Sequence, residues 1–293
     1  MSTTVVAPLA RRGAVSLTGP DAVDFLDNLV TNDVTGMSAG EARFAGLLTP
    51  QGKILFEFFA LRTSDGWLLD TLADRSADLI KRLTMYKLRA KITLADVADQ
   101  YGIAAAWGPA APAAVHGGWS YLDPRDAELG WRLIFPRAQR ASLSGEVVPA
   151  EMYDERRVAL GIAEGGLDYV LGDTFPHEAN YDRIHGVSFT KGCFVGQEVV
   201  SRMQNRTLVR KRVTMITGTE PLATGTEIRL GAAALGTVGS VAGPHGLALL
   251  RIDRAAEAAD KGEPLVAGTS TITVDAASLD CYRASAAARA STP

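Results

Sequence analysis

The sequence predicts an α+β protein whose C-terminal third is a small antiparallel barrel or sandwich. The chain has 293 residues, 47% of them hydrophobic and 22% charged, a composition typical of a soluble globular protein. Its length suits about two domains, with one large or three small ones as alternatives. Strand and helix patterns are mixed up to about residue 162, whereas short strand patterns separated by Gly and Pro dominate after residue 207.

The N-terminal half begins with a helix and a hairpin. Pro20 suits a first helical position, and apolar residues then recur at helical spacing up to Val30. Strand patterns at 42–49 and 53–62 flank Pro50-Gln51-Gly52, which predicts a hairpin turn. The later patterns predict a helix at about 74–88 and strands at 66–70, 91–97, 101–107 and 130–135.

The C-terminal half begins with a predicted helix at about 151–162. An Ala-rich helical pattern covers 254–260, and the tail from residue 284 to 293 has the composition of a disordered segment. The remaining patterns predict short strands at 209–217, 226–230, 233–241, 246–252 and 270–275. Such closely spaced short strands favour a barrel or a sandwich.

Composition excludes several classes of function. A net charge of −3 and a pI of about 5.9 give no electrostatic basis for direct nucleic-acid binding. Two cysteines, Cys193 and Cys281, cannot form a disulfide framework, which indicates a reducing compartment. No apolar run approaches the roughly 20 residues of a membrane span, and the N-terminus does not resemble a secretory signal. We therefore expect a cytoplasmic protein without a membrane partner.

The segment 191–198, Lys-Gly-Cys-Phe-Val-Gly-Gln-Glu, concentrates reactive and conformationally special residues. Gly192 and Gly196 permit tight turns beside Cys193. A helix predicted over 196–204 would place its N-terminus near Cys193, and both this terminus and Lys191 would stabilise a thiolate. The functional interpretation is a reactive or metal-ligating thiol. The alternative is a small residue buried where loops cross, because an unpaired cysteine packs like a small hydrophobe.

This run resembles the signature of the YgfZ family, whose members are folate-binding proteins implicated in iron–sulfur cluster assembly or repair. The family shares its fold with the glycine-cleavage T protein, an aminomethyltransferase that uses tetrahydrofolate. Three further segments, 29–34, 88–92 and 236–240, resemble the family in the right order, and the match covers most of residues 13–253.

The resemblance implies a three-domain T-protein-like ring around a central channel, with two α/β domains and a small C-terminal antiparallel β-barrel. The first domain would be discontinuous, comprising 1–45 and 138–205. The second would span 46–137 and the barrel 206–283, followed by the disordered tail at 284–293.

The implied function is binding of tetrahydrofolate or a derivative, in support of iron–sulfur cluster assembly or repair in client enzymes. Iron–sulfur assembly proteins and the clients would be the partners. Cys193 would be one ligand of a transient cluster, a nucleophile or a structural residue, since one cysteine cannot complete the usual four-thiolate shell. Lys191 would assist it. The expected folate contacts are Glu178, whose carboxylate can accept two pterin N–H groups, and Gln197, Glu198 and Arg202.

Two alternatives remain open. The first is a folate-dependent one-carbon enzyme, an aminomethyltransferase or a demethylase. T proteins carry a catalytic Asp in the strand that matches 52–58, where this chain has Phe56 and Glu57. Because a displacement near 1 Å can cost about a hundredfold in rate, this departure argues against T-protein catalysis. The second alternative is a binding module that keeps the ring fold as an interaction surface.

Overall fold

The computed structural model describes residues 4–109, 111–112 and 115–290. These residues form two compact units. The first comprises the chain up to Tyr153 together with Asp182–Gln197, and the second comprises Asp154–Tyr181 together with the chain from Glu198 onward. Residues 154–181 and 198–205, which the resemblance places in the first domain, group here with the C-terminal strands.

The first unit contains two five-stranded sheets. Its strands are β1 (Val5–Pro8), β2 (Arg12–Thr18), β3 (Ala42–Leu48), β4 (Ile54–Arg62), β5 (Gly66–Leu72), β6 (Thr93–Asp96), β7 (Tyr101–Trp107), β8 (Trp119–Leu122), β9 (Trp131–Pro136) and β10 (Glu146–Val147). Its helices are α1 (Ala22–Asp27) and α2 (Ser76–Lys87), with short 3-10 turns at Ala73–Arg75, Ala127–Leu129 and Arg137–Ser142. The helix α3 (Ala150–Ala159) crosses from the first unit into the second.

One sheet is antiparallel throughout, with strand order β3-β4-β5-β2-β6. Helices α1 and α2 contribute Phe25, Leu26, Leu79 and Leu83 to the core cluster on this sheet. The predicted hairpin joins β3 to β4, and the amide of Gly52 donates to the carbonyl of Thr49 at 2.8 Å. The second sheet has the order β10-β1-β7-β9-β8, in which only β10 runs parallel to its neighbour β1.

A buried carboxylate links the two sheets. Asp70 on β5 accepts a hydrogen bond from Nε of Arg12 at 2.7 Å within its own sheet. Its other oxygen accepts from Nε and Nη2 of Arg132 on β9, in the second sheet, at 2.9 and 2.6 Å. All three side chains are at most 2% exposed. Asp70 therefore pairs with one arginine from each sheet, without competition from water.

The buried cluster continues from Arg132 to Asp123, Arg125 and Tyr153. Asp123 pairs with Arg125 through both carboxylate oxygens, at 3.1 and 2.9 Å. The hydroxyl of Tyr153 accepts from Arg125 at 2.8 Å and from Arg132 at 3.2 Å. Burial opposes ionisation of Asp123, but the adjacent Arg125 and Arg132 outweigh it and hold the pKa of Asp123 below its usual value.

The ring of Phe59 supports the arginines of this cluster. The guanidinium carbons of Arg132, Arg125 and Arg12 lie 4.0, 4.8 and 5.6 Å from its centroid. Arg12 also lies 3.8 Å from the buried carboxylate of Glu57. Three guanidinium groups thus face three carboxylates, and the aromatic face adds cation–π attraction in a poorly solvated site.

The second unit is built on a closed six-stranded barrel, which resolves the expectation of a barrel or sandwich. Its strands are β11 (Arg212–Gly218), β12 (Glu227–Leu230), β13 (Ala233–Ala242), β14 (His245–Leu250), β15 (Leu265–Ala267) and β16 (Ser270–Val274). They pair in the order β11-β14-β13-β12-β15-β16, and β11 closes the barrel onto β16. The helices are α4 (Gln197–Arg206), α5 (Ile252–Lys261) and α6 (Ala276–Ala290).

The tail that the sequence marks as disordered is helical as far as Ala290, and residues 291–293 lie outside the described residues. Alanine has the highest helix propensity, so this Ala-rich segment can extend α6. Arg283 forms ion pairs with Asp260 at 2.5 Å and with Asp280 at 2.7 Å. Arg289 donates to a carbonyl at the end of α4 at 3.1 Å, which gives the last turn a tertiary contact.

We predict that Asp70→Asn lowers the free energy of unfolding by about 3–5 kcal/mol, because it leaves Arg12 and Arg132 buried beside a neutral side chain. Urea denaturation followed by circular dichroism measures this change. Asp99→Asn, at an exposed position, is the matched control and should stay within about 0.5 kcal/mol of the parent. Equal midpoints for the two variants would contradict the bridging role of Asp70.

Candidate functional site

The ammonium group of Lys191 is buried at the C-terminal end of α1. Its Nζ donates to the backbone oxygens of Asp27, Val30 and Asn32 at 2.6, 3.0 and 2.9 Å, and the Asp27 carboxylate lies at 2.9 Å. The Lys191 side chain is 1% exposed. Burial lowers the pKa of Lys191 from its ordinary value, against the opposing effect of Asp27.

This arrangement caps a helix end. The last carbonyls of α1 and of the turn after it have no partners within the helix, and they carry the negative end of its dipole. A cation placed there by a residue more than 150 positions away satisfies them. The two residues of the turn also bind the loop before Lys191, since Thr31 Oγ1 donates to the Gly186 carbonyl and Asn32 Nδ2 to the His185 carbonyl, both at 2.6 Å.

The residues after Lys191 are also anchored in the first unit. Phe194 is buried, with its ring centroid 5.7 Å from the Lys191 ammonium, and Val195 packs against the core cluster of the β3-β4-β5-β2-β6 sheet. Gly196 has φ +81°, and a Cβ there would lie 2.8 Å from the Thr49 carbonyl in the hairpin turn. Only glycine fits this close approach without a shift.

Cys193 is exposed within this anchored loop. The amide of Gln197 spans the loop by donating to the Gly192 carbonyl at 3.2 Å, and α4 begins at Gln197. The interpretation of Cys193 as a buried packing residue is therefore wrong. A solvent-accessible thiol held on a fixed loop before a helix is suited to ligation or nucleophilic attack.

Within the described residues, the hydrogen bonds of the Lys191 ammonium go to oxygens of α1 and of the turn that follows it. The structure thus gives Lys191 a role in positioning the loop that carries Cys193. Its predicted electrostatic effect on the thiol stays a prediction.

Glu178 lies in the second unit and is partly buried. Its Oε2 accepts from the Phe175 amide at 2.9 Å. Its carbonyl accepts from the Val213 amide of β11 at 2.8 Å, and Arg212 donates to the neighbouring His177 carbonyl at 2.6 Å. The carboxylate is therefore held by its own loop, and that loop is held by the barrel.

The other predicted folate contacts lie on α4. Gln197 belongs to the first unit and uses its side-chain amide within the Cys193 loop. Glu198 and Arg202 belong to the second unit and are exposed. They are four residues apart and so share one face of the helix.

Phe56 and Glu57, where the resemblance calls for a catalytic carboxylate, are both buried. Phe56 belongs to the core cluster beside α2, and the guanidinium of Arg75 lies 5.2 Å from its ring centroid. Glu57, on the opposite face of the strand, is 2% exposed and faces Arg12 in the buried cluster between the sheets.

Among residues 4–109, 111–112 and 115–290, no group of three or more His, Cys, Asp or Glu side chains could hold a metal ion. No helix in this part of the chain is long and apolar enough to cross a membrane.

Sequence reasoning missed the partners of the motif, Asp27 and Asn32. Both lie in or beside the segment 29–34 that resembles the YgfZ family, which was the available signal. Nothing in their residue types indicated that they bind a lysine so distant in the sequence.

We predict that Lys191→Met lowers the free energy of unfolding by about 2 kcal/mol, because buried carbonyl oxygens lose a charged donor. Lys191→Arg should rescue little of this loss, since a planar guanidinium cannot replace a compact ammonium among converging oxygens. Thermal and urea unfolding of both variants measure the effect, with the exposed Lys261→Met as control. Unchanged stability of Lys191→Met would contradict the capping role.

The comparisons with known proteins agree with this fold. The model of the GCVT N-terminal domain matches residues 6–143, and the model of the CAF17 C-terminal β-barrel domain matches residues 210–279. The solved structure of the glycine cleavage system aminomethyltransferase T from Bartonella henselae superposes with a TM-score of 0.74. That superposition covers 95% of this chain and 86% of the other, at 17% sequence identity. The T-protein-like fold with a C-terminal barrel is thus confirmed.

Named relatives are similar at higher identity. A protein of Mycosarcoma maydis called "Iron-sulfur cluster assembly factor IBA57 homolog, mitochondrial" is 33% identical over 243 residues, which is 76% of this chain and 60% of that protein. A Neurospora crassa protein of the same name is 31% identical over 70% of this chain and 52% of its own length.

The chain therefore matches little more than half the length of these relatives. Both relatives are named as mitochondrial proteins. By this comparison, the cytoplasmic location expected from the sequence is wrong. By fold this chain is a T-protein-like protein, and in sequence it is similar to proteins named as iron–sulfur cluster assembly factors.

Proposed function

We propose that this protein supports the assembly or repair of iron–sulfur clusters in client enzymes, and that Cys193 is the thiol involved. The observation that carries the proposal is the exposure of Cys193 on a loop whose neighbouring residues, Lys191, Phe194 and Gly196, are all anchored. The names of the relatives, and the resemblance of the motif to the YgfZ family, support the same process.

The chemistry of one thiolate limits its role. Iron–sulfur clusters are held by four protein ligands, usually cysteine thiolates. Cys193 can supply one, so a cluster bound here would be cargo shared with a partner protein that supplies the others. The fixed loop assists this sharing, because little conformational entropy is lost when the partner engages. Iron–sulfur assembly proteins and client enzymes are the expected partners.

We infer that tetrahydrofolate or a derivative is a second ligand. The T-protein-like fold and the placement of Glu178 support this inference. The partly buried Glu178 carboxylate is fixed by the Phe175 amide, and a fixed carboxylate suits the adjacent N–H donors of a pterin. Glu198 and Arg202, exposed on α4, would contact the rest of the molecule. Tetrahydrofolate carries one-carbon units, and the residues of this chain would bind and orient it.

No observation favours the one-carbon enzyme as an alternative. Phe56 and Glu57 occupy the positions where the resemblance calls for a catalytic carboxylate, and both are committed to packing or to the buried ion cluster. We therefore propose binding rather than aminomethyl transfer.

We predict that Cys193→Ser abolishes the restoration of iron–sulfur enzyme activity in a host that lacks the equivalent gene. A serine hydroxyl is a poor replacement for the thiolate that ligates iron or attacks. Cys281→Ser is the matched control, because Cys281 is the other exposed cysteine and lies on α6. Aconitase activity in extracts is the readout, and equal unfolding midpoints of the two variants establish that both are folded. Full restoration by Cys193→Ser would overturn the thiol's role.

We predict saturable one-to-one binding of tetrahydrofolate in an anaerobic calorimetric titration, and at least a tenfold loss of affinity in Glu178→Gln. The loss follows because an amide offers one acceptor and two donors where the carboxylate offers acceptors only; each tenfold is about 1.4 kcal/mol. Glu263→Gln, at an exposed position, is the control. Equal affinity in both variants would remove Glu178 from the site. Absence of binding to the parent would remove folate from the proposal and leave the thiol's role to the preceding test.

A further inference from the structure

The turn that ends α2 holds a leucine in a conformation suited to glycine. The Ala90 amide donates to the Lys87 carbonyl at 2.7 Å, which closes a four-residue turn. Leu88, the second residue of the turn, has φ 42° and ψ −107°. These angles are close to those of a type II′ turn, where this position favours glycine. A leucine is strained there, and such strain is found where the surrounding structure or a function requires it.

The Leu88 side chain lies outside the hydrophobic core of this unit. It is 91% exposed, the highest value among the large hydrophobic residues that the structure describes, and Met85, one turn earlier, is 63% exposed. The side of α2 that packs on the sheet carries Leu79 and Leu83, which are fully buried. Leu88 and Met85 therefore expose apolar side chains outside the core.

Positive charge surrounds these two side chains. No acidic residue occurs from 79 to 95, whereas five basic residues do, namely Lys81, Arg82, Lys87, Arg89 and Lys91. Within the described chain, none of their side-chain nitrogens lies within 4 Å of a carboxylate oxygen. The exposed and half-buried residues among 81–91 make up the α2-end surface. It combines an excess of positive charge with exposed apolar groups, and the Asp21 carboxylate at the Lys91 amide is the nearest acidic group that a hydrogen bond identifies.

We propose that the α2-end surface binds an acidic surface of a partner protein that also presents an apolar contact for Leu88 and Met85. Charge complementarity requires carboxylates or phosphates. A nucleic-acid backbone would leave the apolar pair without a partner, and the net charge of −3 opposes nucleic-acid binding. An interfacial membrane helix inserts a continuous apolar face, whereas the apolar face of α2 is already buried in the core.

The α2-end surface and the Cys193 loop are attached to the same short helix. The Asp21 carboxylate, next to the start of α1, accepts from the Lys91 amide at 2.7 Å. Phe25 and Leu29 line a cleft of about 380 Å³ together with Tyr86 of α2. The carboxylates of Asp21 and Asp24 also line this cleft, so the acidic partner would contact the basic side chains outside it. The other end of α1 receives the Lys191 ammonium. A helix of six residues is only about 9 Å long, so Lys91 and Lys191 are held at the two ends of one short element. The binding itself does not require Cys193.

Fluorescence anisotropy with a labelled helical peptide that carries a leucine stripe flanked by glutamates tests the proposal. We expect saturable binding at low salt that weakens as salt is raised, because exposed charges are screened. Leu88→Gly and the double variant Lys87→Glu, Arg89→Glu should each weaken binding by about tenfold or more. Leu122→Ser, which removes an exposed leucine from β8, and Cys193→Ser should bind like the parent. The Cys193→Ser result separates this proposal from the proposed function.

The stability of Leu88→Gly completes the test. Its unfolding midpoint should equal or exceed that of the parent, because glycine adopts the turn without strain. The proposal is overturned if Leu88→Gly binds the peptide as the parent does. It is also overturned if a matched peptide with lysine in place of glutamate binds equally well. The proposal is also overturned if a short DNA duplex or phosphatidylglycerol vesicles bind more tightly than the acidic peptide. The ligand of this surface would then be a nucleic acid or a membrane, respectively.

Discussion

The first unit depends on one buried carboxylate, Asp70, which pairs with an arginine from each of its two sheets. Removing charges from water is costly, and a buried pair repays that cost only when its geometry and hydrogen bonding are complete. Here three guanidinium groups face three carboxylates over the ring of Phe59, with Tyr153 as a further acceptor. The cluster is therefore a strong constraint on how the sheets face each other, since any other arrangement would leave a charge buried alone.

The sequence was informative where structure follows from local periodicity. It predicted the hairpin of β3 and β4, the helix α2 and most strands of the barrel, because alternation and helical spacing are visible in short windows. It did not predict the buried cluster, whose partners Arg12 and Arg132 lie 58 and 62 residues from Asp70. It also assigned disorder to the end of α6, because composition alone does not show the contacts of Arg283 and Arg289 that support that helix.

In the candidate site, too, the local features were predictable from the sequence and the long-range contacts were not. Cys193 was predicted as a candidate from its motif, since glycines, a lysine and a helix start adjoin it in sequence. The contact of Lys191 with Asp27, Val30 and Asn32 joins segments about 160 residues apart, and only the folded chain shows it. These contacts add a role for Lys191, which holds the loop in place, while its predicted effect on the thiol stays a prediction. The exposure of Cys193 fits the functional interpretation.

The packing of Gly196 on the hairpin turn also restricts how the chain can vary. A turn such as Thr49–Gly52 lies at a loop tip, where insertions and deletions are usually tolerated. In this protein the turn backbone is the surface on which Gly196 rests, at a separation that leaves no room for a Cβ. A length change in the hairpin would therefore displace a loop almost 150 residues further along the chain. The turn length and the glycine are therefore coupled, so that a change in one requires a compensating change in the other.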